Sequence, residues 1–292
     1  MTFRYDETAR NLARQAYQEL EPLHVIAYFG PQVAEVNDEE GMTFFGSYFG
    51  WRAAPLGDIP AALVTATFYN FSPRATEPGW DSARATRTPS QLLDARERVA
   101  DKALTRALGD LLSSPELPRT VERLNAALAA APKGGRPLGA ANLDLARDLA
   151  PHVALWQATA TFRELRGDGH IASLVAHEIT PCESVVFHEA DRDPALPGGR
   201  MGRERAKNSR AWNDDEWAEA LDALRVRGLL EADAERLTAK GSELYQLIED
   251  ETDDAGAGVW ASIEDPLNLL AAARPFVHAV IDAGILPPRY QK

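Results

Sequence analysis

The chain has 292 residues, 45% hydrophobic and 26% charged, an apolar share that excludes a mostly disordered protein. Its 31 Lys and Arg against 44 Asp and Glu give a formal charge of −13, which disfavours sequence-independent binding to nucleic acid, since that needs a basic face. There is no apolar run of about 18 residues to predict a membrane span, the start Met1-Thr2-Phe3-Arg4 has no apolar signal region, and the single cysteine, Cys182, gives no disulfide or metal-ligand spacing, so a cytoplasmic location is expected.

In chain order, Ala9, Leu12, Ala13, Ala16, Tyr17 and Leu20 recur at helical spacing behind Asp6, a suitable N-cap. Glu21-Pro22 predicts a break, because proline is best tolerated in the first turn of a new helix; residues 23–29 then predict a second, buried helix. Residues 42–71 are rich in aromatics. Val64, Thr65 and Thr67 favour a strand, but their neighbours favour a helix over 63–71, the reading adopted. Residues 72–87, with Pro73, Pro78 and Gly79, are expected to be loop. Thr88-Pro89 starts a long helix carrying Leu92, Leu93, Val99, Leu104 and Leu108, and another runs from near Leu117 to Ala131 before a linker-like Pro132-Lys133-Gly134-Gly135-Arg136-Pro137.

After Pro151 a helix carries Val153, Leu155, Trp156, Phe162 and Leu165, and the two glycines of Arg166-Gly167-Asp168-Gly169 predict a turn. Helices follow over 171–176 and 181–187, then a long irregular loop over 190–211 with little to bury. Asn213 caps a helix whose Trp217, Ala220, Leu221 and Leu224 share a face; Gly228 ends it. Leu229-Leu230 and Leu237-Thr238 flank a short turn, and Lys240-Gly241 opens a further helix.

The order over 213–251, a helix ending in Arg227-Gly228-Leu229, a short turn, then Leu237-Thr238-Ala239-Lys240-Gly241 and a helix, resembles the back half of a MarR-type winged helix-turn-helix. A second resemblance spans nearly the whole chain. His24 with Tyr28-Phe29, Arg52-Ala53-Ala54-Pro55-Leu56-Gly57, Phe68-Tyr69-Asn70-Phe71-Ser72-Pro73, Arg163-Glu164 with Arg166-Gly167-Asp168-Gly169-His170, and Thr252-Asp253 resemble the SalK-like helix-turn-helix proteins of actinobacteria. Together these imply a mainly α fold: an all-helical ligand-type domain over 1–145, and over 146–292 a winged-helix-like domain with a short two-stranded wing and a C-terminal helix. The SalK-like stretch carries a His where this chain has Leu165, which implies that a metal-binding pair there lacks a ligand.

The segment placed to enter a DNA groove carries Asp214, Asp215, Glu216, Glu219 and Asp222 against Arg225 and Arg227, and phosphates repel such a helix. The six histidines show no zinc-protease spacing, and no phosphate loop, dinucleotide fingerprint or nucleophile elbow is present, so no metal site and no cofactor is assigned. Candidate acid/base groups are His24, Asp168 and His170. The structural alternative makes Asp168 a helix cap, Arg166 a bridge between domains and His24 a core residue. An aromatic-lined pocket would use His24, Tyr28, Tyr48, Trp51, Arg52, Phe68, Tyr69, Trp156, Arg166 and His170. The preferred reading is a small-molecule-binding, regulator-like protein with a degenerate acidic winged helix and its ligand at the domain junction. The alternatives are an enzyme of specialised metabolism and a DNA-binding transcriptional regulator. The expected partner is a small molecule rather than DNA or a membrane, and a homodimer is left open.

Overall fold

The computed structural model describes residues 2–287; Met1 and residues 288–292, the outer ends of the two expected domains, lie outside the described residues. The described residues form an all-helical fold with no strand or sheet. The first half holds α1 (Glu7–Phe29), α2 (Gln32–Glu40), α3 (Phe44–Ala53), α4 (Ala61–Thr67), α5 (Pro73–Arg84), α6 (Pro89–Leu108), α7 (Glu116–Ala129) and α8 (Pro137–Leu143). The second holds α9 (Pro151–Ala176), α10 (Pro181–Glu189), α11 (Arg203–Ser209), α12 (Asp214–Val226), α13 (Ala239–Ala261) and α14 (Pro266–Asp282).

Buried side chains fall into two apolar clusters. One collects residues from α1 to α9 with the end of α13 and α14; the other runs from Leu174 to Ile248. Two long helices join them. α9, about 39 Å long at 1.5 Å per residue, places Leu165 in the first cluster and Leu174 in the second, and α13 places Ala257 in the first and Ile248 in the second. Both pack against α1. Groups on α9 and α13 thus face each other where the clusters meet.

Local signals explain several boundaries. The Asp6 side chain accepts from the backbone N–H of Ala9, and reciprocal capping boxes pair Thr88 with Gln91 and Asn213 with Glu216. Residues 61–67 are helical rather than extended, but residues 68–71, expected in the same helix, leave it after the Phe68 C-cap.

Other expectations are corrected. The two-stranded wing is not there: a single antiparallel bridge joins Leu230 and Leu237, and Asp191 makes an isolated bridge to Arg236. The intervening Glu231-Ala232-Asp233-Ala234-Glu235-Arg236 has no β-branched or aromatic residue to hold a ladder. Pro22 lies inside α1, where Leu20 and residues 22–28 are all buried, so packing outweighs the lost backbone bond. Residues 73–84 form α5 rather than loop: Ser72 caps it, Pro73 sits in the first turn, and Gly79 lets the helix lie against α3, since a Cβ there would meet the Phe45 carbonyl oxygen at 2.9 Å. Part of the expected 190–211 loop is α11.

The turn expected at 166–169 is also absent, because α9 runs straight through it. One of its glycines, Gly169, serves packing. A Cβ on Gly169 would stand 2.7 Å from the Ala255 Cβ, so the glycine lets α9 and α13 close together; one on Gly167 would stand 3.0 Å from Arg163 Nη1.

Candidate functional site

With α9 unbroken, Arg163, Gly167, His170 and Leu174 fall on one helical stripe, flanked by Glu164, Arg166, Asp168 and Ile171. This stripe forms one wall of a cavity of about 330 Å³. The opposite walls come from residues 67–71, from Ser184 and Val185 on α10, and from Glu249 on α13. An open groove, lined by Arg274 and His278 of α14, shares Tyr17, Glu21, His188, Gly198, Gly199 and Met201 with the cavity and forms its mouth.

Seven of the sequence candidates line this cavity: Tyr48, Arg52, Phe68, Tyr69, Arg166, Asp168 and His170. His24 lines an adjoining cavity of about 30 Å³ that shares Tyr17, Glu21, Arg163 and Arg166 with the larger one. Tyr28, Trp51 and Trp156 line neither and are core; Trp156 Nε1 donates to the His24 carbonyl at 3.1 Å. Glu21, Arg163, Glu164 and Glu249 also line the cavity, and the sequence candidates omit them. Reading 163–170 as a continuous helix brings out Arg163 and Glu164; no sequence signal marks Glu249.

The centre is ionic. Glu164, 3% exposed, accepts from Arg52 Nε at 2.9 Å and from Arg52 Nη2 at 2.8 Å to each oxygen, and Arg163 Nη1 stands 3.1 Å from its Oε2. Burial alone would raise the Glu164 pKa, but the charges of Arg52 and Arg163 hold it down at about 2. The third Arg52 nitrogen, Nη1, donates to the Tyr48 hydroxyl at 2.7 Å, and its guanidinium lies 4.7 Å from the Phe68 ring centroid.

Further along α9, His170 Nδ1 lies 2.9 Å from Thr252 Oγ1, while that hydroxyl donates to the Ile248 carbonyl at 2.7 Å. The hydroxyl proton is committed, so Nδ1–H is the donor to Thr252 and Nε2 is left with its lone pair. Burial pushes the His170 pKa down to about 4, opposed by Glu249, so the ring is neutral at pH 7. Asp168, 6% exposed, accepts from the Gly139 N–H at 2.8 Å and caps the start of α8 across space rather than capping a helix that follows it. Burial raises its pKa to about 6 despite the backbone bonds of Gly139 and Leu138. Arg166 bonds Asp253 Oδ1 at 2.8 Å and lies 4.3 Å from the Tyr17 ring centroid, tying α9 to α13 and α1.

His24 is 3% exposed, and neither ring nitrogen has a hydrogen-bond partner; Nδ1 stands 3.4 Å from Glu21 Oε2 without bonding geometry. Burial holds the His24 pKa below its usual value. Among the described residues no group of three or more His, Cys, Asp or Glu is placed to hold a metal ion.

Residues 67–74 have a second face. The Asn70 carbonyl accepts from Trp212 Nε1 at 3.1 Å, the Ser72 N–H donates to the Arg210 carbonyl at 2.9 Å, and Arg74 bonds both the Ala211 carbonyl and the Glu216 carboxylate. They hold the turn of residues 210–213 between α11 and α12, where Ala211 has φ 57°. The outer face of α12 presents Asp214, Asp215, Glu219, Asp222 and Val226 to solvent, Val226 at 89% exposure. Arg227 is turned inward, donating to the His177 and Glu178 carbonyls.

A model of a helix-turn-helix family matches residues 13–287. No curated protein and no solved structure matches the chain. Among the described residues no helix is long and apolar enough to cross a membrane.

Proposed function

The chain belongs to this helix-turn-helix family, and from that premise we propose that it is a ligand-responsive, regulator-like protein of the cytoplasm, in which a small molecule in the cavity beside α9 sets the position of α11, the 210–213 turn and α12. The SalK-like resemblance and the division into a ligand-type half, 1–145, and a half carrying the helix-turn-helix, 146–292, belong to the same proposal. One observation carries it, the double duty of residues 67–74: residues 67–71 line the cavity, while Asn70, Ser72 and Arg74 hold the turn. Arg210 also lines the cavity and lies 4.4 Å from the Phe71 ring centroid, so the wall and the turn share side chains as well as backbone bonds. A ligand that moves Phe68 or Phe71 must strain or release those bonds.

The family match itself favours a second reading, direct binding to DNA as a transcriptional regulator. The acidic outer face of α12 speaks against that helix as the reader of bases and leaves phosphate contact to the exposed Arg200, Arg203 and Arg205.

The first reading is tested by incubating the purified protein with a metabolite extract, repurifying it and analysing it by native mass spectrometry. A retained small molecule that is lost when Ile171→Trp fills the cavity supports the proposal; no retained molecule, or one retained equally by the variant, overturns it. The second is tested by fluorescence anisotropy with genomic duplex fragments at about 50 and about 200 mM salt. Binding to a specific fragment that falls steeply with salt supports it, and its absence at the lower salt refutes it.

A further inference from the structure

The chemistry of the cavity wall deepens that reading and rests on it, because not every charge on the wall is available to a ligand. All three Arg52 nitrogens are engaged by Glu164 and Tyr48, and both Glu164 oxygens are taken by arginines. Glu189 Oε2 accepts the N–H groups of Met201 and Gly202, and Asp168 accepts from Gly139. Arg166 is held by Asp253.

Three of the other lining groups matter here, the cation Arg163 and the acceptors Glu249 and His170, while Glu21, whose Oε2 also has no hydrogen-bond partner, acts by its charge on Arg163. Arg163 bonds through Nη1 alone, which leaves Nε and Nη2 without a partner among the described residues, and its side chain is 30% exposed. Glu249 stands 3.6 Å from Arg166 Nη2, beyond hydrogen-bond distance, and His170 Nε2 carries a lone pair because Thr252 fixes the tautomer. Both line the cavity, as do the rings of Tyr48, Phe68 and Phe71.

We infer that the cavity takes a zwitterionic small molecule of the amino-acid class, its carboxylate on Arg163, its ammonium between Glu249 and His170 Nε2, and its apolar body against Phe68 and Phe71. The spacing suits this. The Arg163 guanidinium lies beside Gly167, which is three residues, about 5 Å along α9, from His170. The adjacent ammonium and carboxylate of an amino acid span that distance with a hydrogen bond at each end. The cavity volume, about 330 Å³, lies at the lower end of the range for small-ligand sites. A neutral His170 can accept from an ammonium, whereas a charged one would repel it, and its low pKa keeps it neutral at pH 7. Glu21, whose charge adds to that of Glu164 in raising the Arg163 pKa, keeps this arginine charged.

The test is isothermal titration calorimetry of the full chain at pH 7 with three probes that share one ring system: L-tryptophan, tryptamine and indole-3-propionate. L-Tryptophan is expected to bind, tryptamine to bind about tenfold more weakly, and indole-3-propionate to bind weakest. Glu249→Gln is expected to weaken L-tryptophan and tryptamine alike by about 10- to 100-fold. Arg163→Gln is expected to weaken L-tryptophan and leave tryptamine unchanged, with Arg52 still holding Glu164. Circular dichroism shows whether both variants fold, and the comparison of probes on the unaltered chain needs neither. Indole-3-propionate binding as tightly as L-tryptophan, or no heat from any probe up to about 10 mM, overturns the assignment of charges. Either failure leaves the ligand-responsive reading standing, since that reading is tested separately by retention of a molecule from the extract and its loss in Ile171→Trp.

Discussion

Glu164→Gln changes one oxygen to a nitrogen at the centre of the ionic cluster and leaves Arg52, 6% exposed, without its carboxylate. Removing one partner of a buried pair costs about 3–5 kcal/mol. The proton equilibrium gives a similar figure: the fall of the Glu164 pKa from 4.5 to about 2 corresponds to about 3 kcal/mol. The sign follows from that fall. A carboxylate whose folded pKa is depressed contributes stability that is fully present above 4.5 and is lost as the pH falls toward 2. Urea unfolding followed by circular dichroism should therefore show the variant less stable by about 3–5 kcal/mol at pH 7, with the gap narrowing below pH 4.5. A loss under about 1 kcal/mol, or a gap that stays constant down to pH 3, would refute the idea that this pair is buried and mutually dependent.

Asp168 behaves in the opposite sense: its folded pKa is raised from 3.8 to about 6, so its contribution is most favourable below 3.8 and is lost as the pH rises through 6. Asp168→Asn keeps an acceptor for Gly139 and should stabilise the protein by up to about 3 kcal/mol at pH 7.5, with little effect near pH 4, as read by thermal denaturation at the two pH values. Gly139→Ala puts a Cβ 2.6 Å from Leu165 Cδ2 and 2.8 Å from its Cα, and should cost about 1–3 kcal/mol in urea unfolding. In a proton NMR titration, the His170 ring should change charge near pH 4 rather than near 6.5. Trypsin should cut first after Arg200, in the exposed 198–200 stretch, as read by fragment masses; early cuts confined to α6 or α7 would contradict the placement of that loop.

The parts of this fold legible in the sequence are those whose cause is local. Thr88 and Asn213 announce their helices because each side chain bonds a backbone N–H three residues on, and the buried face of α12 is visible in the spacing of Trp217, Leu221 and Leu224. Where the cause is tertiary, the sequence misleads. Gly167 and Gly169 read as a turn, yet both lie inside α9, and Gly169 lets that helix approach Ala255 on α13. Pro73, Pro78 and Gly79 read as loop, although the glycine serves the packing of α5 on α3. The two-stranded wing, drawn from resemblance, fails for want of strand-forming residues. The site divides in the same way. Arg52, Arg166 and His170 stand out through their motifs, whereas Glu21 and Glu249 look like residues of a solvated helix face until α1 and α13 pack against α9.

The central claim is that the contents of the cavity are felt at the turn between α11 and α12. It is tested most directly by hydrogen–deuterium exchange on the full chain and on Ile171→Trp, whose larger ring enters the cavity from α9. The exchange of peptides covering 67–74 and 208–216 is expected to change together, with α6 and α7 unchanged. A change confined to the neighbourhood of residue 171, with 208–216 exchanging as before, would contradict it.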